Sequence, residues 1–163
     1  MQLEARIRVF KLFSQVSSIV VMLIGFFVLA GWAFDSAVLK SIIPKMTAMN
    51  PLTAICFILS GISLWGQGRA NESCKCALET ISKICAFLVA LIALINLLRF
   101  FGHDFGIDQI LFTEKLKTYT PVNRMAHNRS VSFFFIGISL LVLKFRTSKG
   151  YRPCEFFALG SFL

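Results

Sequence analysis

A chain of 163 residues that is 56 % hydrophobic, carries 18 Phe and has only 15 % charged residues belongs in lipid rather than in water. Its formal charge of +9 does not mark a nucleic-acid binder, since there is no zinc-finger spacing, no helix-turn-helix pattern and no basic stripe away from the apolar windows. No nucleic-acid partner is expected, and the cations read as anchors facing the anionic head groups of the bilayer.

The first window, Leu12 to Phe34, contains no ionisable side chain. At about 1.5 Å per residue it is long enough to cross a hydrocarbon core of about 30 Å. A cleaved signal peptide also begins with a basic stretch and an apolar run. This run is longer than a signal core, and it ends in LAGWAFD, where Trp and Phe stand in place of the small residues a cleavage site needs. Trp32 and Phe34 suit an interfacial aromatic belt instead. The second window, Met46 to Gly68, is equally free of charge and equally long.

The third window, Ile84 to Leu98, is shorter, and Arg99, Phe100 and Phe101 extend it if the guanidinium reaches the interface while its stem stays in lipid. Beyond it, the stretch from Asp104 to Pro121 is expected to hold a short interfacial helix and a loop. The fourth window, Ser130 to Leu143, is shorter still and would alone suit a buried or re-entrant segment. Its kinship with the second window makes it a span. Met49 to Trp65 reads MNPLTAICFILSGISLW and Met125 to Leu141 reads MAHNRSVSFFFIGISLL. A constant shift of 76 positions places Met49 on Met125, Phe57 on Phe133, and Gly61 to Leu64 on Gly137 to Leu140.

After Pro153 the residues CEFFALGSFL begin another apolar run. Under the same shift Glu155 falls on Glu79, just ahead of the third window, so this run reads as the entrance to a fifth crossing. The chain is therefore expected to be a truncated reading frame or a fragment; a short amphipathic tail lying on the membrane is the alternative. The expected fold is all-α: a polytopic transmembrane bundle of two parallel-repeat hairpins and the start of a fifth helix. Spans are expected near 12–34, 49–67, 82–102 and 127–145, with repeat units 12–67 and 82–145 and a partial helix 154–163 in one membrane domain, 1–163.

Cytoplasmic loops should hold the excess of Lys and Arg. Arg6, Arg8 and Lys11, then Arg69, Lys75 and Lys83, then Lys144, Arg146, Lys149 and Arg152 share one side, outnumbering the cations spread over the longer segments of the other. The amino terminus is accordingly placed inside. Both units then run in the same sense, which directs attention to the starts of the second and fourth spans, where parallel repeats tend to build a site. Asn50 before Pro51 has the form of a helix cap followed by a proline at the first helical position. Asn128 or Ser130 is the equivalent candidate in the second unit. Met49, Asn50 and Thr53, with Arg124, Met125, His127, Asn128 and Arg129, form a candidate ligand-facing cup for an anionic or polar small molecule, above a wall of Phe57 and Phe133. Gap-filling by Met, capping by Asn and interfacial anchoring by Arg account for the same residues without a ligand. Ala54 with Gly61, and Ser130 with Gly137, are spaced by seven and lie on one helical face, where small residues let a neighbouring backbone approach.

No metal site or cofactor is expected: Cys74 and Cys76 form a lone C-x-C, Cys56 and Cys85 lie in spans as small apolar residues, and His103 and His127 lack a ligand set. Walker, dinucleotide and nucleophile-elbow signatures are missing, and no acidic residue lies in mid-span, so an enzyme is not expected.

The segments GWAFDSAVLKSIIPKMTAMNPLTAICFILSGISLW, LLRFFGHDFGIDQILF and NRMAHNRSVSFFFIGISLLVL resemble the membrane-embedded input region at the amino end of many bacterial sensor histidine kinases, diguanylate cyclases and PAS-containing signalling proteins. In that region a Gly-Trp ends the first helix, a Met-x-Pro-Asn-Thr-Ala-like block opens the second and fourth, and a Gly-Ile-Asp-Gln block follows the third. This chain departs from the pattern at Leu52, in place of Asn, and at His127 and Arg129, in place of Pro and Thr. The resemblance covers nearly the whole chain. It implies a non-catalytic sensory or dimerising module of the bacterial inner membrane, partnered by lipid and by its own or other membrane helices and normally coupled to a cytoplasmic output domain. A small transporter or accessory subunit, or a structural membrane protein, is the alternative.

Overall fold

The structure is a computed structural model that describes residues 2–36, 48–69, 75–103, 106–107, 110–111, 124–143 and 153–161. All regular structure among them is helical. Five α-helices follow in order: α1 Gln2–Ala33, α2 Pro51–Arg69, α3 Lys75–Leu98, α4 His127–Leu141 and α5 Pro153–Gly160, with a 3₁₀ turn, Arg99–Phe101, closing α3. Uninterrupted apolar sequence makes helices here because backbone polar groups away from water must be satisfied within the segment. Three stretches, Arg6–Ala33, Pro51–Arg69 and Ala77–Phe101, are long and apolar enough to cross a membrane. The protein is a helical membrane protein on that ground.

Three boundaries differ most from expectation. Helix α1 starts at Gln2 and α3 at Lys75, each one or more turns ahead of the uncharged window, because Lys and Arg are good helix formers and continue a helix past the point where apolarity ends. The fourth element is shorter than a span of 127–145. Its 15 residues rise about 22 Å, below the thickness of a hydrocarbon core. The expected interfacial helix between Asp104 and Pro121 lies almost wholly outside the described residues. Within it a single turn is visible, in which the Ile110 N–H donates to the Ile107 carbonyl at 3.3 Å.

Helix ends follow recognisable chemistry. At the close of α1 the Ser36 N–H reaches back to the Gly31 carbonyl at 3.0 Å, with Asp35 in the left-handed region at φ 59°. After α3 the His103 N–H reaches the Leu98 carbonyl at 3.3 Å, and Gly102 takes φ 86°, the position where glycine pays no Cβ penalty.

Successive helices pack side by side. Helix α1 runs antiparallel to α2: Gly25 lies against the Ala54 carbonyl, and Gly61 against Ser18 and Met22. Helix α3 runs antiparallel to α4, with Gly137 seated on the Ala90 backbone. Helix α2 also meets α3, where Gly66 lies against Ser82 and Leu78, and α5 folds back along α4. The expected small-residue faces are thus used for close approach, Ala54 and Gly61 towards α1 and Gly137 towards α3. Ser130 instead turns its hydroxyl back to the Ala126 carbonyl at 3.4 Å.

Helices α2 and α4 touch and point the same way. Phe57 meets Phe133 edge to face at 5.2 Å, and further along both helices Gln67 Nε2 donates to the Leu140 carbonyl at 3.0 Å. Around that contact Leu52, Cys56, Val89, Ala93, Met125 and Phe133 form one buried cluster, on which the loop residue Ile107 also packs. A second cluster joins Val28 and Trp32 of α1 to Ala48 and Ala54. Large apolar side chains such as Phe13, Leu23, Phe27, Ile84, Phe87 and Leu91 are exposed along α1 and α3 and face outward from these clusters, as lipid-facing surfaces do.

Candidate functional site at the start of two parallel helices

The candidate residues gather at one end of the molecule because α2 and α4 start there side by side. They divide into buried and exposed sets. Asn50, Thr53 and Met125 are buried and Met49 is half-buried, whereas Arg124, His127, Asn128 and Arg129 are exposed. Phe57 and Phe133 lie in contact beneath them.

The start of α2 is closed by its own sequence. Asn50 Oδ1 accepts the Leu52 N–H at 2.9 Å, Pro51 has no N–H to satisfy, and the Ala54 N–H donates to the Asn50 carbonyl at 3.3 Å. Replacing Asn50 by Ala should lower stability by about 1 kcal/mol. The same change at exposed Asn128 should stay within about 0.5 kcal/mol. Thermal unfolding of the two variants in one detergent or nanodisc checks the difference.

The start of α4 is built differently. Neither Asn128 nor Ser130 caps it: the cap position is Ala126, which supplies no side-chain hydrogen bond, because the helix opens at His127. Asn128 Oδ1 accepts from the adjacent Arg129 N–H at 2.9 Å, and the His127 ring meets Phe100 edge to face at 6.1 Å. The first turn therefore lacks the local closure of α2 and stands among exposed cations.

Two hydrogen bonds that composition does not announce tie this end together. Trp32 Nε1, from the last turn of α1, donates to the Met49 carbonyl at 2.8 Å. Arg99 Nη2, from the turn that closes α3, donates to the Met125 carbonyl at 2.8 Å. Met49 and Met125 are counterparts under the 76-residue shift, so the same backbone acceptor is held in both halves by a donor from the preceding helix. Arg99 therefore does more than reach for the interface. The methionine match is the one sequence signal that pointed to these carbonyls, and it carried no information about their donors.

Below this level the site is polar in an unusual way. The hydroxyls of Thr53 and Ser60 are buried without a hydrogen-bond partner. Thr53, Ser60 and Gln67 are spaced by seven and share the side of α2 that meets α4. Among the described residues no three His, Cys, Asp or Glu side chains come together to hold a metal ion. The arrangement offers cations, a helix start and buried capping groups. No family model, curated protein or solved structure matches the chain.

Proposed function

We propose that this chain is a sensory input module of a bacterial signalling protein: non-catalytic, embedded in the inner membrane with its amino terminus inside, and built from two hairpins of the same sense followed by the short helix α5. The observation that carries the reading is the pairing of the two methionine blocks. They open neighbouring parallel helices, and their counterpart carbonyls are each gripped by a donor from the helix before. A block used twice in this way supports a duplicated hairpin, and the resemblance to the input regions of sensor kinases and cyclases supplies its role. The exposed cations Arg124, His127 and Arg129 are then the face offered to a stimulus of anionic or polar chemistry. Lipid and other membrane helices are its partners.

The hairpin sense is tested by single cysteines at Ala70 and Thr118 in a background without other cysteines. An impermeant maleimide should reach the two from opposite compartments, and labelling from the same compartment overturns the topology. The role is tested in the gene itself, by reading the DNA beyond the codon for Leu163. A kinase, cyclase or receiver output in any frame is the expected finding, whereas a complete transporter operon in that position removes the sensory reading.

A further inference from the structure

The two helix starts are held with unequal security. Helix α2 has a side-chain cap, a proline at its first position, a neutral indole on the Met49 carbonyl and buried residues throughout its first turn. Helix α4 has no side-chain cap and three exposed residues in its first turn, and a half-buried guanidinium holds the carbonyl that precedes it.

Along the flank of α4 that meets α2, Gln67 Nε2 donates to the Leu140 carbonyl and Phe57 meets Phe133, but the hydroxyls of Thr53 and Ser60, nearer the helix starts, form no bond across the seam. Against α3, Gly137 rests on Ala90, and Phe133 packs in one cluster with Val89 and Ala93. At its far end α4 carries α5: Ser139 Oγ donates to the Cys154 carbonyl at 2.9 Å, Phe135 stacks on Phe157 at 6.4 Å between ring centroids, and Gly160 lies against the Phe135 ring.

We propose that Arg99 is a latch on a movable α4, and that α5 is the element to which the movement is delivered. With the latch closed, α4 stays seated and Cys154 is covered. With it open, α4 shifts along α3 by the small translations typical of packed helices, and the α5 contacts loosen. The inference deepens the input-module reading by naming the part that moves, and it rests on that reading only for the meaning of the movement. Its test reads accessibility alone, so the two fail separately.

The test uses the full chain in liposomes, with Cys56, Cys74, Cys76 and Cys85 replaced by Ala so that Cys154, which is 6 % exposed, is the single thiol. The rate of labelling by a membrane-permeant maleimide is measured for the parent, Arg99→Ala and Trp32→Phe. Arg99→Ala removes a bond about 21 Å from the α5 contact by helix rise from Met125 to Ser139. It should speed labelling about fivefold, the weight of one hydrogen bond, whereas Trp32→Phe, which removes the counterpart bond and loosens the other half, should raise the rate clearly less. An unchanged rate in Arg99→Ala overturns the latch. An equal rise in both variants also overturns it, because that is general loosening. Should Arg99→Ala fail to fold, Arg99→Lys takes its place: a smaller rise is expected, and no rise overturns the proposal.

Discussion

Gly137→Leu should abolish the folded state, and Gly137→Ala should already cost about 1–3 kcal/mol. A Cβ built at this position falls 2.7 Å from the Ala90 nitrogen, 2.8 Å from its Cβ and 2.9 Å from its Cα. Backbone atoms cannot turn aside as the tip of a side chain can, so α3 and α4 must separate along their length to admit even a methyl group. In lipid this separation is costly because helix association there depends on close van der Waals contact rather than on expulsion of water. Gly68 is the internal control. Its added Cβ would meet nothing nearer than Gln15 Cγ at 3.9 Å. Gly68→Ala should therefore be tolerated and gain up to about 1 kcal/mol from helix propensity. Melting temperature and the monodisperse fraction after solubilisation distinguish the two. A Gly137→Ala protein as stable as the parent would show that α4 does not sit on Ala90.

The second large effect is expected at Trp32, which is fully buried in the cluster with Val28, Ala48 and Ala54 and donates to the Met49 carbonyl. Trp32→Ala removes the largest side chain in the interior and should cost about 3–5 kcal/mol. Trp32→Phe keeps most of the packing and loses the donor, leaving the carbonyl of half-buried Met49 without the indole, at a cost of about 1–2 kcal/mol. The interval between the variants separates ring packing from the hydrogen bond. Amide exchange sharpens the result, since both substitutions should speed exchange at the Asn50–Ala54 turn. A Trp32→Phe protein with parental stability and exchange would show that the indole N–H contributes nothing there.

Much of this architecture was legible in the chain because a membrane imposes few solutions. Uncharged windows announced three helices, and the end of α2 at Arg69 lies within two residues of expectation because charge marks the boundary. Asn50-Pro51 announced the α2 cap, since both residues act through their own backbone geometry. The fourth element is shorter than its repeat partner implies: α4 resembles α2 in sequence but stops after 15 residues, because likeness of sequence does not carry likeness of length. Its cap was misplaced for a related reason. Asn128 and Ser130 are good capping residues, but capping also needs the residue outside the first turn, and that residue is Ala126. The grips on Met49 and Met125 were out of reach because each joins residues distant in sequence, and a Trp or Arg at a helix end looks the same whether it faces head groups or a carbonyl. The partnerless hydroxyls of Thr53 and Ser60 were equally hidden, because Ser and Thr in apolar helices normally bond their own backbone.

The meeting of Phe57 with Phe133 has a consequence for how the halves can diverge. Where counterpart positions abut one another, each ring is the other's environment, so an altered residue on one side alters the fitness of its twin. Under the 76-residue shift Asn50 corresponds to Ala126, Pro51 to His127 and Thr53 to Arg129, while the ring at the shared seam is Phe on both sides. On the duplicated-hairpin reading, the seam ties a change in one copy directly to the fitness of the other, and the helix starts above it are where the copies specialised.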